Sequence, residues 1–323
     1  MNKLDIKDKK IMFELDKDSR IPLSKLAKKI GLKKETVFHR LNNLIEKQII
    51  LQFHTVSALY RFGQKSYKIY LKLQGASPET RESIIDSLQK NKRIFWIGDA
   101  RGTWDIIVGI WAGSLEDFFL VHDEILNKHS KYILKKEVSI SRKNTQLNRK
   151  WFYDDKSPRK IFTFGEDESP AKLDEDDKKI LDQISTNSRM KIIDIAEKVE
   201  LLPDKVTYRI KNLEKNGLIK GYKCLFNASK LGFIATKVNI YFKNISKERK
   251  QEFFNYLKFL PNIIYFLETF ASWDVEIGFE VEKNEDFYLV MDDLSDKFKD
   301  IIHHYDDMVV LREPKQKFVL AKK

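Results

Sequence analysis

The sequence predicts an α+β chain of two tandem units, each a three-helix segment followed by alternating strands and helices, and three observations carry this. The first is repetition: shifted by 169 residues, residues 4–50 fall on 173–219 without a gap, and 16 of the 47 pairs are identical. LDxxDKKI at Leu4 to Ile11 recurs at Leu173 to Ile180, and Val37, Arg40, Asn43 and Leu44 recur as Val206, Arg209, Asn212 and Leu213. The offset still holds where Thr103-Trp104-Asp105 faces Ser272-Trp273-Asp274, so a whole unit is duplicated rather than a short solenoid repeat. The second is helical periodicity in the first third of each unit, and the third is an alternation of β-rich and helical stretches after it.

In the first unit, apolar residues fall at Ile11, Met12 and Leu15, at Leu23, Leu26, Ala27 and Ile30, and at Val37, Leu41 and Leu44. These spacings predict three amphipathic helices. Ser24 is a candidate amino-cap for the second, and Gly31 can end it. The second copy repeats the pattern with Glu200 in place of Gly31 and Pro203 near the start of its third helix, a position proline tolerates. Two helix-turn-helix segments result.

With Val37, Leu41 and Leu44 facing the core, the third helix turns Thr36, His39, Arg40 and Asn43 outward, with Lys33 and Lys34 at its start. Such residues suit DNA: arginine and asparagine read base edges, while lysines and a helix amino-terminus hold phosphates. The matching set in the second copy is Lys205, Thr207, Tyr208, Arg209, Lys211 and Asn212. Residues 1–50 carry 13 Lys/Arg against 7 Asp/Glu, whereas residues 172–221 carry 11 against 10, so the first copy is the stronger expectation for DNA contact. Arg40→Ala is accordingly expected to cost more specific binding than Arg209→Ala. The net charge of +12 favours a polyanionic partner.

Beyond each third helix the patterns run strand, helix, strand, strand, helix, strand: 67–73, 78–88, 93–100, 104–111, 115–126 and 132–140 in the first unit, repeated in the second. That order is βαββαβ, the ferredoxin-like split unit. Domain boundaries follow at 1–56, 64–141, 172–225 and 233–313, with a linker over 142–171. In the linker, Trp151-Phe152-Tyr153 and Ile161 to Phe164 flank Asp154 to Pro158 and predict a hairpin.

A helix-turn-helix opening with LDxxDxxI, a VxxRxxxL third helix, then βαββαβ with a G-x-W-D turn between its central strands resembles the leucine-responsive regulator/AsnC (feast/famine) family of transcription factors, twice over. The resemblance implies a winged helix-turn-helix on a sheet domain that dimerises and senses small molecules, commonly amino acids. It places the effector loop on Gly98, Asp99, Arg101, Gly102, Thr103 and Asp105, with Ser272 and Asp274 in the second unit, where Ala271 replaces the glycine. The alternative for these loops is that Trp104 and Trp273 are core or interface residues and Asp105 and Asp274 stabilise turns.

The expectation is therefore a ligand-modulated regulator of double-stranded DNA, a covalent pseudo-dimer that pairs further as a homodimer, with no cofactor and no metal. The same resemblance extends to siroheme decarboxylases, which carry a histidine- and asparagine-rich segment where this chain has 94–98 and 263–267 without histidine. A degenerate architectural or sensor protein without specific DNA reading is a third possibility. Adjacent His303 and His304 on one strand should face opposite ways, against joint metal ligation. The lone Cys224 predicts no intrachain disulfide, and no apolar run approaches the length of a membrane span or signal segment, so a cytoplasmic location is expected.

Overall fold

The computed structural model describes residues 4–153, 156–165 and 170–317. The first unit runs α1 (Ile6–Lys17), α2 (Leu23–Ile30), α3 (Lys34–Glu46), β1 (Ile50–Ser57), β2 (Lys65–Leu73), α4 (Pro78–Lys90), β3 (Ile94–Gly102), β4 (Ile106–Ala112), α5 (Leu115–His129) and β5 (Ile133–Leu147). A linker strand, β6 (Ile161–Gly165), precedes the second: α6 (Glu175–Ser185), α7 (Ile192–Val199), α8 (Pro203–Lys215), β7 (Ile219–Phe226), β8 (Ile234–Phe242), α9 (Lys247–Leu257), β9 (Ile263–Phe270), β10 (Val275–Val281), α10 (Asn284–Lys297) and β11 (Ile302–Gln316).

Local chemistry explains the helix ends. The Asp5 side chain accepts the Asp8 N–H and the Asp174 side chain that of Asp177, so the repeated LDxxD is an amino-cap motif. Ser24 is not a cap: α2 starts one residue earlier, behind Pro22, whose fixed φ suits a helix entry. Gly31 (φ 70°) and Glu200 (φ 58°) both close their helices in the left-handed region. The turn is thus conserved between the halves even where a side chain costs about 1–2 kcal/mol there.

The halves interlock at two levels. The strand after each third helix pairs with its counterpart: β1 runs antiparallel to β7, and Ser19 Oγ meets Ser188 Oγ at 2.8 Å. Those serines are 169 residues apart, so a pseudo-twofold axis passes between them. Arg189 donates to the Ser19 carbonyl and Arg20 to that of Ser188, repeating the contact in both directions.

In the sheet domains the order β2-β4-β3-β11-β8-β10-β9-β5 is closed by β2 pairing β5. The two long fourth strands make the closure: β5 pairs β2 of its own unit and then β9, while β11 pairs β8 and then β3. Among the described residues, β6 is the strand added outside the closed ring. Along β2, alternation sends Tyr67, Ile69 and Leu71 into the core under α4 and α5, and Lys68 and Tyr70 into the space between the two sheets.

The linker hairpin forms with another partner strand. Ile161–Gly165 pairs with 143–147 of β5, because β5 overruns the expected boundary at 141 to reach the other unit. Trp151 instead stacks on Phe233 and Phe152 packs in the core of the first helix-turn-helix; Asp154 and Asp155 lie outside the described residues.

Candidate nucleic-acid interface and inter-sheet site

The recognition face of each third helix is set by its buried stripe. Val37, Leu41 and Leu44 are buried in α3, as are Val206, Ile210 and Leu213 in α8. Lys33, Lys34, Thr36, His39 and Asn43 are exposed, with Lys33 at the cap position and Lys34 opening the helix. In α8, Lys205, Tyr208, Lys211 and Asn212 are exposed and Thr207 is half-buried, but Lys205 lies 3.2 Å from Asp176 and the Asn212 amide oxygen accepts from Asn216.

The two arginines sit elsewhere than on a free outward face. Arg40 Nη1 lies 2.7 Å from Asp5 and 2.9 Å from Asp8, and Arg209 contacts Asp174, Asp176 and Asp177 at 2.7–2.9 Å. Each guanidinium therefore ties the third helix to the amino-terminus of the first. The hydrogen bonds that Arg40 donates to Asp8 and Asp5 raise its pKa further. The physical reason is the capping motif, whose carboxylates gather at the helix start where a partial positive charge already favours them.

The candidate effector loops are engaged by the fold. Asp105 Oδ2 accepts the Leu73 N–H at 2.9 Å and Asp274 Oδ2 the Phe242 N–H at 2.8 Å, the same strand-joining role in both units. Asp99 receives Arg81 Nε and Arg312 Nε, each at 2.9 Å; burial opposes its ionisation, but the two guanidinia hold it below the usual carboxylate range. Gly98 backs onto the Trp96 ring, and Gly102 (φ 130°) lies where a Cβ would stand 2.8 Å from the Asp307 carbonyl. Thr103 donates to that same carbonyl, and Arg101, half exposed, to that of Ala100. Ser272 and Asp274 are exposed, whereas Trp104 and Trp273 are buried with ring centroids 6.4 Å apart. The first loop is thus clamped by β11, and the second is more open.

Two buried ionic clusters lie deeper. Glu276 sits between Lys68 and Lys237 (2.7 Å to the latter), with its second oxygen accepting from Ser139 at 3.0 Å. Burial lowers the Lys237 pKa against the pull of Glu276. Arg149 holds Glu280 at 2.7 Å and Asp16 at 3.1 Å, all three buried. Nearby, burial and then Lys223 press the His54 pKa down to about 3. His303 and His304 do touch, Nδ1 to Nδ1 at 2.6 Å, because a bulge between Ile302 and His304 breaks the expected alternation. Among the described residues no group of three or more His, Cys, Asp or Glu is disposed to hold a metal, and no helix is long and apolar enough to cross a membrane.

A pocket of about 120 Å³ opens between β1 and the barrel. Sequence reasoning missed both it and the lysine–glutamate cluster. The available signal was Lys68 recurring as Lys237 inside otherwise apolar strands.

A winged helix-turn-helix DNA-binding family model matches residues 4–50 and 173–220. The HTH-type transcriptional regulator LrpC of Bacillus subtilis is 34% identical over 120 residues, spanning 36% of this chain and 81% of that protein. LrpA of the same organism is 45% identical over 74 residues, 23% of this chain and 54% of its own. Among solved structures, the siroheme decarboxylase NirDL superposes with a TM-score of 0.63 over 98% of this chain and 94% of its own, at 12% identity, a likeness of fold alone.

Proposed function

The chain belongs to the leucine-responsive regulator/AsnC family of helix-turn-helix transcriptional regulators, and from that premise we propose that it binds promoter DNA as a single-chain pseudo-dimer whose halves contribute unequally. The observation that carries this is the pairing of two helix-turn-helix domains across one pseudo-dyad, each with the polar face of its third helix exposed. The first helix offers Lys33, Lys34, Thr36, His39 and Asn43 for phosphates and base edges. The second offers Thr207, Tyr208, Lys211 and Asn212, beside four carboxylates of α6 that repel phosphate. Arg40 and Arg209 position their helices. The operator is then non-palindromic, with one strong half-site.

A small-molecule effector, pairing of two chains into a pseudo-tetramer, a cytoplasmic location and the absence of catalysis complete the reading. The test is recovery of genomic fragments by the purified chain at moderate salt, followed by sequencing. A few promoters with a shared asymmetric motif, bound with steep salt dependence, is the expected result. Uniform recovery or salt-independent affinity would overturn it, and a scattering mass reports the assembly.

A second reading rests on the NirDL-like fold over the whole chain, together with His54 in the wall of the pocket. Titration with an iron porphyrin separates the two: a saturable Soret shift favours a decarboxylase-like activity, and none is expected.

A further inference from the structure

The pocket between β1 and the barrel lies on one side of the pseudo-dyad and reaches the axis at its floor. Its wall contains three pairs related by the 169-residue repeat: Lys68 with Lys237, Trp96 with Tyr265, and Asn144 with Glu313. The space on the opposite side is filled. There Lys223, Glu280 and Phe226, the repeat partners of the wall residues His54, Trp111 and Ser57, surround Arg149: Glu280 is ion-paired to it, Phe226 lies under its guanidinium, and Lys223 shares its Asp16 partner. One half of a duplicated site thus holds a charged planar group from the linker; the repeat partner of Arg149 is position 318, outside the described residues.

The chemistry of the wall defines what fits. Two buried lysine amines, Lys68 and Lys237, share the single carboxylate of Glu276, both of whose oxygens are already engaged, so an anion entering the pocket meets amine donors that one carboxylate serves between them. The other wall carboxyl, Glu313, accepts from the Trp96 indole at 2.8 Å, and burial pushes its pKa up. A buried amine of this kind beside a cavity is costly unless an acceptor reaches it. Phe95 and Trp111 supply an apolar wall. A cavity near 120 Å³ is of the order that accepts one small ring.

We propose that this pocket binds a small apolar monocarboxylate, of the size of phenylacetate or 4-methyl-2-oxopentanoate, with its carboxylate toward Lys68 and Lys237 and its apolar end against Phe95 and Trp111. As an effector site this rests on the regulator reading. His54 to Ser57 of β1 form part of the wall, and β1 pairs with β7, so an occupant touches both the barrel and the joined helix-turn-helix domains.

The test is calorimetric and tryptophan-fluorescence titration of the full chain, without DNA, using both acids and their neutral amides. Saturable binding of at least one acid, weakened roughly tenfold or more in its amide, is expected. Ser57→Phe, which copies Phe226 across the dyad, should abolish the signal while the apo protein still melts cooperatively. No saturation by either acid up to about 10 mM, equal binding of acid and amide, or unchanged binding in folded S57F would overturn the site. If S57F does not fold, the comparison of acid with amide on the unmodified chain decides alone. DNA retention measured separately distinguishes the failures: promoter binding without carboxylate binding sinks this inference only, and carboxylate binding without promoter binding sinks the regulator reading only.

Discussion

On one side of the pseudo-dyad, Arg149 bridges Asp16 and Glu280 against the strand β7; on the other, His54, Trp111 and Ser57 line a pocket beside β1. The two sides descend from the same duplicated residues, and on the first the linker residues after β5 return into the molecule. The largest expected effect follows from that side. Arg149→Met leaves two buried carboxylates without their guanidinium, and should lower urea stability by about 3–5 kcal/mol. A loss under about 1 kcal/mol would mean that water already reaches the cluster, and the contrast between a filled side and an open side would fail.

The helix-turn-helix pair offers the next contrast. Asn43 is exposed on α3, whereas the Asn212 amide is already engaged with Asn216 on α8. Asn43→Ala should cost about 1–3 kcal/mol at the preferred operator, the worth of a bidentate contact to a base, and relax sequence preference there. Asn212→Ala should cost less. Equal losses in parallel titrations would restore a symmetric operator.

How far these contrasts could be read in advance depends on where each partner lies. The repeat, the helix-turn-helix segments and the βαββαβ order were legible because periodicity and turn residues are local. The overrun of β5 and β11 was not, since the residues that pair with their outer halves belong to the other unit. Arg40 illustrates the same limit: its residue type and helix position suit base reading, and only the fold brings Asp5 and Asp8 to it. A trace did exist in the sequence, because Asp5, Asp8 and Arg40 recur together as Asp174, Asp177 and Arg209. The glycine-rich loop looked like a ligand cradle, but the close approach of Gly102 to the Asp307 backbone reflects strand packing. The pocket was invisible because its wall is drawn from both units.

His54 provides a contrast in pH. Burial, then the Lys223 charge, holds it neutral, with its pKa down to about 3 from an ordinary 6.5. Below 6.5 the unfolded chain takes up a proton that the folded chain refuses, so stability is intact above that pH and falls as pH drops toward 3. From this group alone the loss between pH 7.5 and pH 5 is about 2 kcal/mol. His54→Phe should flatten that part of the stability profile, measured by urea unfolding at each pH. An unchanged acid slope would show that His54 is protonated in the folded chain.

The smallest effect concerns the paired arginines, and it bears most directly on how the two recognition helices are held. Arg40 and Arg209 are each about a fifth to a third exposed and meet carboxylates that are partly solvated. Such ion pairs contribute little, so Arg40→Ala and Arg209→Ala should each lower stability by only about 0.5–1 kcal/mol. Because each guanidinium links the third helix to the start of the first, either loss should loosen the recognition helix and weaken DNA binding without changing which bases are preferred. This departs from the expectation raised by residue type, in which Arg40 reads a base and its loss is felt at one operator position. Selection of each variant on a randomised operator distinguishes the two. A preference profile that keeps its shape at lower affinity fits a positioning arginine, while loss of information at a single base pair in R40A alone would return Arg40 to the reading face and make the two halves unequal there as well.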